Sequence, residues 1–209
     1  MPARLEKIED SRTRKGFVEL FFSGGEHLRC SANDAADLAL CAGMELSDAA
    51  LDSLRESCAL SSAKEHAARL LSYRAMSRGE LRRKLCEKGE TPENAEAAVD
   101  WLCGMGLMDE LSYAKSVVRY CMGKGWGEAR IKQEFYRRFV PREYWDEALG
   151  ELTGEDEAIE RFVERRLAGK TPDRRELKKI TDALLRRGYS WEQIKQATAR
   201  YIDNCEDEY

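Results

Sequence analysis

Apolar residues recur three and four positions apart from Ser61 onward, in short stretches closed by glycine, proline or a capping residue. That spacing predicts successive amphipathic helices of about ten to fourteen residues. Ser77-Arg78-Gly79-Glu80-Leu81-Arg82-Arg83-Lys84-Leu85-Cys86-Glu87-Lys88-Gly89 is the clearest of them. Ser77 and Glu80 have capping-box spacing, Leu81 and Leu85 form a one-turn seam, and Gly89 is a natural stop. A helix predicted over 63–75 precedes it and one over 92–103 follows, with Thr91 as cap and Pro92 at the first helical position.

The pattern then repeats. Shifting the frame by about 50 residues carries Leu81, Leu85, Lys88, Ala98 and Leu102 onto Ile131, Phe135, Arg138, Ala148 and Leu152. A second, similar shift carries them onto Ile180, Leu184, Arg187, Ala197 and Tyr201. Apolar, basic and turn positions keep their roles together. The expected fold is mainly α: three tandem three-helix repeats that form an elongated curved array. The repeats are assigned to 61–107, 108–153 and 154–203, with an acidic tail over 204–209. Residues 1–60 precede them. Residues 1–15 read as polar and irregular. Phe17–Phe22 and His27–Cys30 form a hairpin about Ser23-Gly24-Gly25-Glu26. Two short helices follow, one from Asn33 or Asp34 to Gly43 and one capped by Ser47 with Leu51 and Leu54 as its seam.

Charge sharpens the repeat. The 209 residues carry a net charge of −4, yet residues 63–202 sum to +4 between two ends of −4 each. The cations concentrate on the middle helix of each repeat. Arg78, Arg82, Arg83, Lys84 and Lys88 lie on the first, with Arg74 just ahead of it. Arg130, Lys132, Arg137 and Arg138 lie on the second, with Lys124 before it. Arg174, Arg175, Lys178, Lys179, Arg186 and Arg187 lie on the third. A discontinuous basic track of this kind suits a polymeric, charged partner. Interleaved Glu80, Glu87 and Glu134 blunt it.

Other chemistry is sparse. The two histidines, His27 and His66, fall on different elements, and no metal-binding spacing occurs. His66 reads as a surface or packing residue. Gly123-Lys124-Gly125-Trp126-Gly127 lacks the phosphate-loop frame and reads as a hinge. Asp109 and Glu110 read as a helix cap and first turn. No nucleophile has a visible base. No enzyme activity and no cofactor or metal is expected. The seven cysteines form no CxxC pair, and Cys86, Cys103 and Cys121 fall on apolar helical positions as small core residues. Trp101, Trp126, Trp145 and Trp191 read as packing anchors, with an exposed partner anchor as the alternative for one or two of them. No stretch approaches the roughly 18 apolar residues of a membrane span, and no leader is visible, so a cytoplasmic chain with no membrane contact is expected.

Four stretches resemble the RecX family of RecA regulators: Leu70–Leu81 with its Leu-Ser-Tyr-Arg run, Leu107–Ala114, Lys124–Phe135 and Leu184–Ile194. The resemblance covers about residues 63 to 201. It departs at Glu110, where the family has a second aspartate, and at Arg138-Phe139-Val140, where a glycine stop is lost and a different angle between repeats is expected. The resemblance implies a non-catalytic regulator of homologous recombination and DNA repair. Family members bind RecA and its DNA filament, and inhibit filament extension, ATP hydrolysis and strand exchange. Many touch single- or double-stranded DNA directly. A monomeric regulator gripping recombinase filaments through the basic middle helices is the expectation. A helical DNA-binding protein without recombinase specificity is the alternative.

Overall fold

The computed structural model describes residues 3–168 and 173–202, so the predicted acidic tail lies outside the described residues. The described residues form two compact units: residues 3–75 with 80–108, and residues 76–79 with 109–168 and 173–202.

The first unit opens with β1 (Ala3–Asp10), β2 (Phe17–Phe22) and β3 (His27–Ser31). Then come α1 (Ala32–Asp37), the two-residue β4 (Glu45–Leu46) and α2 (Asp48–Tyr73). The predicted hairpin is present, but it does not stand alone. The strands pair antiparallel in the order β3-β2-β1-β4, so part of the segment read as irregular is a strand. A register shift between Leu5 and Lys7 breaks the alternation of β1. A bulge of this kind hides a strand from a period-two reading. Leu5, Leu20, Phe22 and Cys30 turn one face of the sheet onto Leu51, Leu54 and Cys58 of α2.

Two helix predictions change. The helix expected to reach Gly43 ends at Asp37, and Ala39 turns the chain at φ 48°. The helices expected from Ser47 and from Ala63 are one helix of 26 residues, capped by Ser47. No glycine or proline interrupts it, so nothing in the backbone breaks it at residue 60. Its first half covers the sheet, and α2 also packs along α4 (Pro92–Gly104). Between them comes α3 (Arg78–Glu87), whose Leu81 and Leu85 are fully buried, as the seam requires. His66 is half-buried between two partners. Arg14 can only donate, so the His66 Nε2 accepts from it at 2.6 Å and Nδ1–H faces Glu90 at 2.5 Å.

The second unit contains α5 (Glu110–Gly123), α6 (Glu128–Arg137), a 3₁₀ turn at Arg142–Tyr144 and the five-residue α7 (Trp145–Leu149). It ends with α8 (Glu155–Leu167), α9 (Arg174–Arg187) and α10 (Trp191–Ile202). Each trio has its own core. Val117, Val118, Cys121, Ile131, Phe135 and Ala148 form one, and Ile159, Val163, Leu177, Ile180, Leu184 and Ile194 the other. The positions aligned by the repeat, Leu81, Ile131 and Ile180, are all buried, as are Leu85, Phe135 and Leu184.

The loss of the glycine stop leaves the backbone conformation at that position unchanged in kind. Gly89, Phe139 and Gly188 have φ of 95°, 55° and 88°, so Phe139 adopts the left-handed conformation despite its side chain. Two packing expectations fail. Cys86 is exposed, because only the Leu81 and Leu85 stripe of its short helix faces inward, whereas Cys121 is buried and its thiol is pushed up to about 11 by that burial. Trp191 is 57% exposed, and Trp101 also reaches the surface. Both sit at helix positions flanking the buried stripe.

Candidate functional site

The second unit joins its repeats through helix ends. The first N–H groups of a helix lack intrahelical acceptors, and the last carbonyls lack donors. In α6 the cap position is Gly127, which has no capping side chain. The end of α9 supplies the acceptors instead. The Gly127 amide donates to the Arg187 carbonyl at 2.9 Å, and the Ala129 amide to the Gly188 carbonyl at 3.1 Å. The positive end of α6 thus meets the negative end of α9.

The same register recurs 49 to 50 residues earlier. The Ser77 hydroxyl donates to the Arg138 carbonyl, and the Glu110 carboxylate accepts the Arg78 amide. Gly79 lies so close to Phe139 that an added Cβ would come within 2.7 Å of the Phe139 Cβ. Glu110, read from sequence as a first-turn acid, therefore serves the start of another helix. Burial raises its carboxyl above the usual range, with Arg78 opposing and Asp109 and Glu143 reinforcing. The other end of the series is closed from within: Asp173 caps α9 by accepting the Glu176 amide at 2.6 Å.

Many of the sequence-predicted cations are matched by carboxylates. Arg74 pairs with Glu80, Arg82 with Glu96, Arg83 with Glu87 and Lys132 with Glu128. Arg137 and Arg138 share the buried Glu134 carboxylate, each at 2.6 Å. Hydrogen bonding from Arg137, then from Arg138, holds Glu134 below the usual carboxylate range against the cost of burial. Arg78 is exposed, and its backbone is held by Glu110. Lys84, Lys88, Arg174, Arg175, Lys178 and Arg186 make no ion pair among the described residues, and the four arginine and lysine side chains of this set on α9 are exposed.

Arg130, Lys124 and Arg187 behave differently. Lys124 Nζ lies 4.3 Å from the Tyr120 ring centre and 5.1 Å from that of Trp126. Arg130 lies over the same Trp126 ring at 5.2 Å, and Arg138 lies over Tyr120 at 5.5 Å. The order Arg138, Tyr120, Lys124, Trp126, Arg130 alternates cation and ring. Arg187 donates to the carbonyls of Gly125 and Lys124 and sits 4.6 Å over Phe162. These contacts place Lys124 and Arg187 on one cleft of about 290 Å³. Arg161 and Arg165 of α8 complete its charged lining. Sequence reasoning missed both because it weighed only middle helices. Their spacing, one turn apart astride Phe162, was the available signal. Among the described residues no group of three or more His, Cys, Asp or Glu side chains is arranged to hold a metal.

Comparison with known proteins follows the three helical trios. The family models described as the first, second and third three-helix domains of RecX match residues 63–102, 109–149 and 154–198. The regulatory protein RecX of Vibrio campbellii is 38% identical over 138 residues, covering 65% of this chain and 89% of the relative. That of Pseudomonas fluorescens is 40% identical over 130 residues, covering 61% and 83%. A crystal structure of regulatory protein RecX matches 96% of this chain and 99% of its own at a TM-score of 0.72, with 23% identity. RecX from Lactobacillus salivarius matches 69% and 97% at a TM-score of 0.62, again with 23% identity. At such identities the two structures speak to the fold.

Proposed function

The chain belongs to the RecX family of regulatory proteins, and on that premise we propose that it is a non-catalytic regulator of the RecA recombinase. It binds RecA and RecA–DNA filaments and restrains filament extension, ATP hydrolysis and strand exchange. The observation that carries this reading is the threefold recurrence of a family domain whose middle helix bears exposed cations: Arg82 and Arg83 on α3, Arg130 and Arg137 on α6, and Arg174, Arg175 and Lys178 on α9. A nucleoprotein filament repeats the same anionic and protein surfaces along its length. Several weak contacts on one chain then act together as avidity. The working units of that contact are the repeats bounded near 61–107, 108–153 and 154–203, and the site of action is the cytoplasm. No helix among the described residues is long and apolar enough to cross a membrane.

Two measurements test the proposal. A pull-down after nuclease digestion should still capture the recombinase, whereas a general DNA-binding protein would lose it. The double change Arg82→Glu with Arg83→Glu should leave helicity intact and weaken inhibition of the recombinase ATPase. Their partners Glu96 and Glu87 sit at the surface, where such pairs contribute about 1 kcal/mol or less to folding. Full inhibition by that variant would remove Arg82 and Arg83 from the contact and count against a basic track along the middle helices.

A further inference from the structure

The cleft lined by Met122, Gly123, Lys124 and Gly125 on one side and by Arg161, Arg165 and Arg187 on the other gathers several cations onto one concave surface. Elsewhere on α3 and α6 Arg82, Arg83, Lys132, Arg137 and Arg138 face carboxylates. Here four cations converge, and no carboxylate side chain lines the cleft. Among the described residues none of the four makes an ion pair. Glu155 lines the adjoining cleft beyond Tyr189 instead. Arg187 is held in place by two backbone carbonyls and by the Phe162 ring, and Arg161 by the Glu157 carbonyl at 3.2 Å. Their charges are thus fixed but not neutralised. Like charges gathered this way disfavour the empty state and focus a positive potential outward.

One wall continues directly into aromatic surface. Lys124 belongs both to the cleft and to the Tyr120 and Trp126 contacts, and Tyr120 is 48% exposed. A cationic groove beside an exposed ring matches the two needs of an unpaired nucleic-acid strand: its phosphates take the cations, and a base stacks on the ring. A duplex hides its base faces and satisfies only the first need. A run of acidic residues alone, such as polyglutamate, likewise has no flat ring to lay on Tyr120.

We propose that this cleft binds the phosphodiester backbone of single-stranded nucleic acid, with Arg161, Arg165, Lys124 and Arg187 receiving phosphates and Tyr120 stacking a base. This deepens the reading of a regulator that works on nucleoprotein filaments and rests on it. It places strand contact on the first helix of the third repeat as well as on the middle helices.

The test is a fluorescence-anisotropy titration of the full chain with a labelled oligothymidylate, a duplex of equal length and a labelled polyglutamate, without recombinase. Arg161→Glu and Arg165→Glu should each weaken oligothymidylate binding about tenfold or more and lower the slope of log affinity against log salt by about one phosphate contact. Tyr120→Ala should weaken the single strand about fivefold or more while leaving duplex binding in place. Lys195→Glu, exposed on α10 of the same unit, controls for net charge. Melting curves followed by circular dichroism confirm that each variant folds. The proposal is overturned if Arg161→Glu and Arg165→Glu behave like Lys195→Glu, if Tyr120→Ala affects strand and duplex equally, or if polyglutamate binds more tightly than oligothymidylate. Because recombinase is absent, failure here leaves the regulatory function standing or falling on the nuclease-resistant pull-down alone.

Discussion

The Gly188 carbonyl accepts the Ala129 amide at 3.1 Å, so the end of α9 completes the hydrogen bonding at the start of α6. The approach is possible because neither Gly188 nor Gly127 carries a side chain. A Cβ on Gly188 would sit 2.3 Å from the Arg130 nitrogen, and one on Gly127 would sit 2.7 Å from the Gly188 oxygen.

Gly188→Ala should therefore cost far more stability than Gly89→Ala, although both occupy the same position in the repeat. Gly89 has φ 95° with open space around it, so alanine there meets backbone strain alone, about 1–2 kcal/mol. Alanine at Gly188 adds a clash with backbone and should lose at least about 1–3 kcal/mol more. Urea melts of the two variants check the difference. Equal losses would mean that the helix ends do not press together as described.

Serine is ordinarily a better N-cap than glycine, worth a few tenths of a kcal/mol. Gly127→Ser should nevertheless destabilise, because the acceptor already comes from α9 and the added Cβ has no room. Asp173→Ala at the far end should lose about 1 kcal/mol, since that cap is supplied by its own side chain. Thermal melts of both variants decide the point.

Glu110 gives a pH signature. Its carboxyl is raised in the folded chain, so the folded state binds the proton more tightly. The stability this contributes is fully present below the ordinary glutamate range and is lost as pH rises through the raised value. Glu110→Gln cannot titrate. The stability of wild type relative to this variant should fall with increasing pH across that window, whatever constant offset the amide introduces. Denaturant melts at several pH values measure it.

Glu134 should show the opposite sign. Its carboxyl is lowered by Arg137 and Arg138, so its contribution is present above the ordinary glutamate range and is lost as pH falls through the lowered value. Glu134→Ala leaves the half-buried Arg138 without its carboxylate and should cost about 1–3 kcal/mol near neutral pH. The loss should shrink in acid. A pH-independent loss in the same melts would assign Glu134 a packing role only.

Local physics made the helices legible in the sequence. Leu81, Ile131 and Ile180, and likewise Leu85, Phe135 and Leu184, repeat at one interval and are all buried, because a short helix with a narrow apolar stripe has one way to shed that stripe from water. Ser47, Thr91 and Asp109 cap helices as their spacing predicts, since a cap needs only the next three residues. The hairpin of β2 and β3 was legible for the same reason.

Other features needed atoms distant in sequence. The bulge after Leu5 broke the alternation that would have marked β1, and only pairing with β2 and β4 makes it a strand. Phe139 keeps a glycine-like φ at the end of α6, and its side chain packs close to Gly79 of α3. The meeting of Arg161 and Arg165 with Lys124 and Arg187 arises from α8, α9 and the end of α5 converging on one cleft. The sequence by itself determined which residues form each helix and which stripe is buried, because those follow from spacing within a few turns. Only the tertiary structure decided which helix ends meet and which cations lose their carboxylates, because both depend on groups brought together across tens of residues of chain.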